Sequence, residues 1–194
     1  MKNKYVPIIL TSFVVAVFVL GMFSGIASAQ SPVEQYEKAK EQYSLNKERY
    51  EETRLKFEEA KGLFEKALLQ FNNRKDNQSK EELILRAKNY LERAINHTIA
   101  YLNVAKNRAE LPENREIIPF NASAIADGHI AKLEQLRTKV QQANTVAELR
   151  DANRELKDSW IAIRLETRYC LAIVLNYRID NFIVKAENVT AKLD

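Results

Sequence analysis

Few side chains in this sequence are equipped for chemistry. His97 and His129 are the only histidines, and Cys170 is the only cysteine. A carboxylate-bridged di-iron centre in a helical protein needs Glu-x-x-His on two helices, but the residues three before the histidines are Ala94 and Ala126. His-Glu-x-x-His, Cys-x-x-Cys and Cys-x-x-Cys-His do not occur, which removes the usual zinc, thiol-redox and covalent-haem readings. A phosphate-cradling glycine loop would need more than Gly62 and Gly128 beyond residue 29, and no Gly-x-Ser-x-Gly elbow exists to present a nucleophilic serine. The expectation is a protein with no catalytic residue, no metal and no cofactor. Cys170 sits in the apolar run Tyr169 to Leu175 and reads as a buried thiol.

Four Asn-x-Ser/Thr sequons are the other chemically marked positions: Asn77, Asn96, Asn121 and Asn188. The asparagine and hydroxyl content of the chain predicts roughly one by chance, so possible N-linked glycans join the expectation. Ser79 and Asn121 also read as helix caps. Asn96 falls on what looks like the outermost position of its heptad, within reach of solvent, while Thr98 of the same sequon points to the seam.

The ends of the chain say where such a protein would work. Lys2 and Lys4 precede a run from Tyr5 to Val33 without a charge, densely apolar from Val6 to Met22, and Ala27-Ser28-Ala29 supplies small residues for cleavage. Basic, apolar, then small is the order of a secretory signal peptide, so residues 1–29 are expected to direct export or, uncut, to anchor the chain. The expected location is extracytoplasmic, secreted or at the cell surface, with membrane contact only through an uncleaved leader. Of 30 basic and 26 acidic residues, the leader holds two lysines and no acid. The remaining excess is small and the signs alternate along the chain, which argues against a nucleic-acid partner.

The body, residues 30–194, reads as a single helical domain. Its scarcity of Gly and Pro excludes a many-turned β-sandwich or barrel. Tyr36, Tyr43, Tyr50, Phe57, Phe64 and Phe71 recur every seven residues, and Ala39, Asn46, Thr53, Ala60 and Ala67 follow the first five by three. That is a heptad of large and small seam residues. A first helix is expected over about 33–74. Ser79 to Glu82 reads as a capping box opening a second over about 80–109, where Ile84, Ala87, Leu91, Ala94, Thr98 and Tyr101 form the stripe and Leu83, Tyr90 and Val104 widen it. A connector with two prolines follows. A third helix is expected over about 122–143, and a second capping box, Thr145 to Glu148, opens a fourth over about 146–192. Leu149, Leu156, Trp160, Ile163, Cys170, Val174, Tyr177 and Val184 mark its expected buried stripe.

The fold class is therefore all-α: an elongated antiparallel four-helix bundle or coiled coil with two long outer helices after an N-terminal signal peptide. The start of the first helix and the end of the last should share one pole, beyond the reach of the middle pair. Tyr36, Tyr43, Tyr177, Ile179, Phe182 and Ile183 would gather there as an interaction surface.

The segment His129 to Lys185, with Leu133 to Val140, Thr145 to Arg150 and Trp160 to Arg168, resembles exported helical-bundle proteins of archaea and some bacteria. The likeness covers under a third of the chain. It implies the fold and the address and no activity. The expected function is that of a non-enzymatic cell-envelope or cell-surface structural or interaction protein, acting through coiled-coil packing on a protein partner or on itself. An extracytoplasmic holdase-type chaperone, or a bundle enclosing a small ligand or a non-covalent haem through His97 or His129, are the alternatives.

Overall fold

A computed structural model describes residues 32–111, 114 and 117–190 of the chain. The expected signal peptide lies outside the described residues. Among those residues the structure is all-helical, with four helices packed against one another: α1 (Pro32–Arg74), α2 (Asn77–Ala109), α3 (Ala122–Gln142) and α4 (Val146–Thr190). No helix among the described residues is long and apolar enough to cross a membrane.

The helix ends follow local chemistry. Pro32 is the first residue of α1, where its missing N–H costs nothing. Lys75, at φ 56°, ends that helix in the left-handed conformation and returns its N–H to the Phe71 carbonyl at 2.9 Å. The opening of α2 corrects the expected capping box. The cap is Asp76, not Ser79: its carboxylate accepts the Ser79 N–H at 2.7 Å, and α2 begins three residues earlier than expected. An ionised carboxylate accepts more strongly than a hydroxyl and also meets the positive end of the helix dipole. Asn121 does cap α3, accepting the Ala124 N–H at 2.9 Å. The box at α4 forms in both directions, Thr145 Oγ1 accepting from Glu148 N–H at 3.2 Å and Glu148 from Thr145 N–H at 2.9 Å.

Helix α2 packs along every other helix, whereas α1 packs extensively along α2 alone. The aromatic ladder of α1 meets a ladder of the same period on α2. Tyr50 stacks on His97 with centroids 4.6 Å apart, Phe57 lies 5.5 Å from Tyr90, and Phe64 stacks on Tyr90 at 5.2 Å. Rising numbers on one helix meet falling numbers on the other, so the pair is antiparallel. Lys106–Asp127 at 2.7 Å sets α3 antiparallel to α2, and Lys139–Glu155 at 2.8 Å sets α4 antiparallel to α3. Leu91, Ile95, Leu102, Leu133, Leu136, Val140, Leu149 and Ile163 join in the continuous core between α2, α3 and α4.

The buried stripe of α4 stops short of the expectation. Leu149, Leu156, Ile163 and Val174 are buried, and Trp160 and Cys170 are half-buried, but Tyr177 and Val184 are about half exposed. The reason is length: α2 ends at Ala109 and α3 starts at Ala122, so α4 is still approached near Arg178 by Arg108 and Asn114 and then runs past the ends of both helices.

Phe57 is 2 % exposed, whereas Phe64 is only half-buried. Truncating Phe57 to Ala should cost about 3–5 kcal/mol, and truncating Phe64 about 1–2 kcal/mol. Urea denaturation of the two variants checks the order, and equal losses would show that the α1–α2 seam is not layered as described.

Candidate functional site

Two places stand apart from ordinary packing: a cleft at one end of α2, and the uncovered end of α4. The cleft has a volume of about 500 Å³, inside the range of about 300–1,000 Å³ common for small-molecule sites. Tyr43 and Tyr50 of α1 form one wall, Trp160, Ile163 and Val174 of α4 the other, and Tyr101 and Leu102 of α2 the floor. It exists because α1 and α4 both lie against α2 without packing extensively on each other. The connector closes one end through Ile118 and Phe120, and Phe120 stacks on Tyr169 at 5.9 Å.

Asn114 holds that connector in place. Its side chain is wholly buried, donating from Nδ2 to the Arg108 carbonyl at 2.8 Å and accepting from Arg178 at 3.4 Å. Its backbone carbonyl accepts from both Ile117 and Ile118 at 3.0 Å. The sequence reads here as a connector whose Ile117, Ile118 and Phe120 cap one end of the core, with no role assigned to Asn114. A lone Asn between two prolines was the available signal, because Asn side chains bond nearby backbone and fix turns.

The charged groups of the cleft are mostly cationic, Lys47, Lys106, Arg108, Arg164 and Arg168 against Glu51 and Glu166. Tyr101 lies edge-on to Trp160 at 5.3 Å. Burial raises its phenol pKa; a hydrogen bond with Thr167 and the guanidiniums of Arg168, Arg164 and Arg108 partly oppose that rise. Arg108 itself is pushed down to about 10, first by burial and then by repulsion from Arg178. Arg108 also interacts with Tyr43, whose pKa is raised by burial and lowered in part by this charge. One residue near the end of α2 thus senses both α1 and α4, so both long helices pass α2 at the same end.

The uncovered end of α4 follows directly. Every residue from 175 to 188 is exposed. Phe182 is 72 % exposed, and Tyr177, Ile179 and Ile183 are each about half exposed. Tyr36 on α1 is also exposed, while Tyr43 is withdrawn to 5 %. The six residues expected at the pole are thus divided. At about 100° per residue, Ile179, Phe182 and Ile183 lie on the outward face of α4, and Tyr177 lies on the side of Cys170 and the cleft. Burial raises the Cys170 pKa, as befits a thiol half-covered by apolar neighbours.

The histidines are separated. His97 is 3 % exposed, 4.6 Å from Tyr50 and 5.8 Å from Phe57, with Nδ1 3.3 Å from Thr53 Oγ1. The signal for its place is that 83, 90, 97 and 104 form one seven-residue series opposite the α1 ladder. His129 instead pairs with Glu166 at 2.7 Å between α3 and α4. No group of three or more metal-ligating side chains occurs among the described residues.

The sequon asparagines also differ. Asn77, Asn121 and Asn188 are exposed. Asn96 corrects the expectation of an outermost position: it is half-buried, and its Oδ1 accepts from Arg137 of α3. A helix with partners on two sides has no free outer edge there. Thr98 is buried, as its seam position required.

No family model, curated protein or solved structure matches the chain.

Burial, followed by repulsion from Arg54, lowers the His97 pKa from 6.5 to about 4, against a backbone hydrogen bond with Tyr50 that raises it. The unfolded chain therefore takes up a proton near pH 6.5 that the folded chain refuses until about pH 4. The contribution to stability is complete above the higher value, falls as pH drops between the two, and levels off below the lower. Its full span is about 3 kcal/mol. Urea midpoints between pH 4 and 7.5 should fall toward acid in the wild type and flatten in His97→Phe between pH 5 and 6.5. An unchanged slope in the variant would assign the effect to other groups.

Proposed function

We propose that this chain is a non-enzymatic exported protein, a structural or interaction protein of the cell envelope or surface that works through coiled-coil packing of the end of α4. The observation that carries the reading is the run from 175 to 188, exposed throughout yet apolar at Leu175, Tyr177, Ile179, Phe182, Ile183 and Val184. Soluble chains rarely leave so continuous an apolar surface uncovered unless something binds it. The basic, apolar and small-residue leader over 1–29 supplies the address, either removed on export or retained as an anchor. The long helices suit an elongated antiparallel bundle whose pole, at the start of α1 and the end of α4, lies next to the leader. Exposed Asn77, Asn121 and Asn188 are positions where glycans would not disturb packing. A holdase would use the same apolar face on unfolded clients, without a fixed partner.

The test is retention in the cell. The wild-type chain, expressed with its leader in a secreting host, should fractionate with the envelope, and Ile179→Glu/Phe182→Glu should release it while keeping its helicity. A double variant that fractionates like the wild type would remove the α4 face from the function.

The cleft favours a second reading, the small-ligand one. Its aromatic walls and the guanidiniums around Tyr101 suit an apolar molecule with one anionic group. Trp160 is the only tryptophan, so its fluorescence reports on the cleft directly. Titration with 1-anilinonaphthalene-8-sulfonate should quench it saturably at one molecule per chain, and Arg164→Leu/Arg168→Leu should weaken the binding several-fold. Linear, unsaturable quenching would dismiss the site.

A further inference from the structure

The cleft at the end of α2 has dimensions and a charge arrangement that narrow what it can hold. On α2 the stripe through Leu91, Ile95 and Leu102 continues as Ala105 and Ala109, so its last turns present small side chains where earlier layers present large ones. Space opens there between α2 and α4, and Cys170 and Val174 line it from α4. Along α4 the lining runs from Trp160 to Val174, which is about 21 Å at 1.5 Å per residue. Spread over that length, the volume of about 500 Å³ leaves a mean section of roughly 24 Å², about 5 Å across. A helix, about 10–12 Å wide with its side chains, does not enter such a space. A single aliphatic chain does, since carbon atoms pack at about 3.5–4.0 Å. At roughly 30 Å³ for each water-sized group, the volume takes about sixteen non-hydrogen atoms.

The charges around this space are divided by side. Toward α3 they are paired, Glu166 with His129 at 2.7 Å and Lys106 with Asp127 at 2.7 Å. Arg164 and Arg168 are each two residues from Glu166, about 160° around α4, and so turn away from α3. Both guanidiniums act on the Tyr101 phenol, whose ring lies 6.3 Å from that of Tyr50 on α1. On this side the one lining acid, Glu51, pairs along its own helix with Arg54 at 3.4 Å. Arg164 and Arg168 form no ion pair among the described residues. Like charges one turn apart on a helix repel. An anion between them removes that repulsion, and a carboxylate can accept from both guanidiniums at once.

We propose that the cleft binds a single-chain fatty acid of about fourteen carbons, with its aliphatic chain lying between α2 and α4 and its carboxylate held by Arg164 and Arg168. The inference rests on the small-ligand reading of the cleft and names the ligand class within it. Trp160 and Tyr101 flank the entrance, and Ala105, Ala109, Cys170 and Val174 surround the chain. A second acyl chain exceeds the section, so a two-chain lipid is excluded by width.

Protein recovered from the secreting host and stripped of lipid is titrated by calorimetry with saturated carboxylates of about eight to eighteen carbons, each below its micellar concentration. One site per chain is expected, with affinity rising about two- to fourfold per methylene to about fourteen carbons and flat or falling beyond. The alcohol of the same length should bind about tenfold more weakly. Arg164→Leu/Arg168→Leu should bind acid and alcohol alike with unchanged helicity, and Ala105→Leu should move the optimum to a shorter chain. Affinity that ignores chain length, an alcohol that binds as well as its acid, or an optimum unmoved by Ala105→Leu overturns the proposal. A double arginine variant that still prefers the acid does the same for the carboxylate's place. Vesicles of a diacyl phosphatidate that compete better than the free acid overturn the single chain. If no carboxylate binds while 1-anilinonaphthalene-8-sulfonate still saturates one site, the cleft reading survives with a compact aromatic anion and this inference falls. If neither binds, both fall together.

Discussion

Helix α2 has to satisfy two partners at once, and that requirement organises the molecule. One of its faces repeats every seven residues through Leu83, Tyr90, His97 and Val104 and receives the ladder of α1. Another, through Leu91, Ile95 and Leu102, closes the core with α3 and α4. A helix apolar on two sides cannot stand at the surface, so α1 is held in place by α2 and by little else. The buried imidazole of His97 follows from the same constraint. It occupies a layer position opposite Tyr50, where a flat ring packs well and a charged one does not.

The arrangement also explains why the two notable surfaces lie at one end. Both α1 and α4 follow α2 and outlast it, since they are 43 and 45 residues long and α2 is 33. Where α2 ends, the two long helices are left without a shared neighbour. Near that end they diverge enough to leave the cleft, which the connector closes through Asn114, Ile118 and Phe120. Past it, α4 continues alone. Cleft and bare helix are thus two results of one mismatch in length.

Much of this was legible in the sequence because helices announce themselves through spacing. The α1 ladder, the Thr145–Glu148 box and the Asn121 cap all appear in the structure where their residue types put them. What periodicity cannot supply is whether a partner reaches a given apolar face. Tyr177 and Val184 continue the register of Cys170 and Val174, yet they are exposed because α2 and α3 have already ended. Asn96 failed in the opposite direction: a heptad drawn for one partner makes it outermost, and a second partner covers it. The Asp76 cap was missed for a local reason, since Ser79 and Glu82 form a plausible box three residues downstream. Only the relative strength of a carboxylate acceptor separates the two starts. The cleft had no sequence signature, because it is a space between helices and belongs to none of their patterns.

Folding order and function meet at the seam between α2 and α4. Two of the antiparallel pairs, α1–α2 and α3–α4, are joined by short turns, so their closure costs little chain entropy. Contact between α2 and α4 is the distant one, carried by Tyr101 against Trp160 and by the hydrogen bond between Tyr101 and Thr167. A chain with one cysteine has no intramolecular disulfide to lock that closure. A ligand in the cleft would touch residues of all four helices and would stabilise the closed form by mass action.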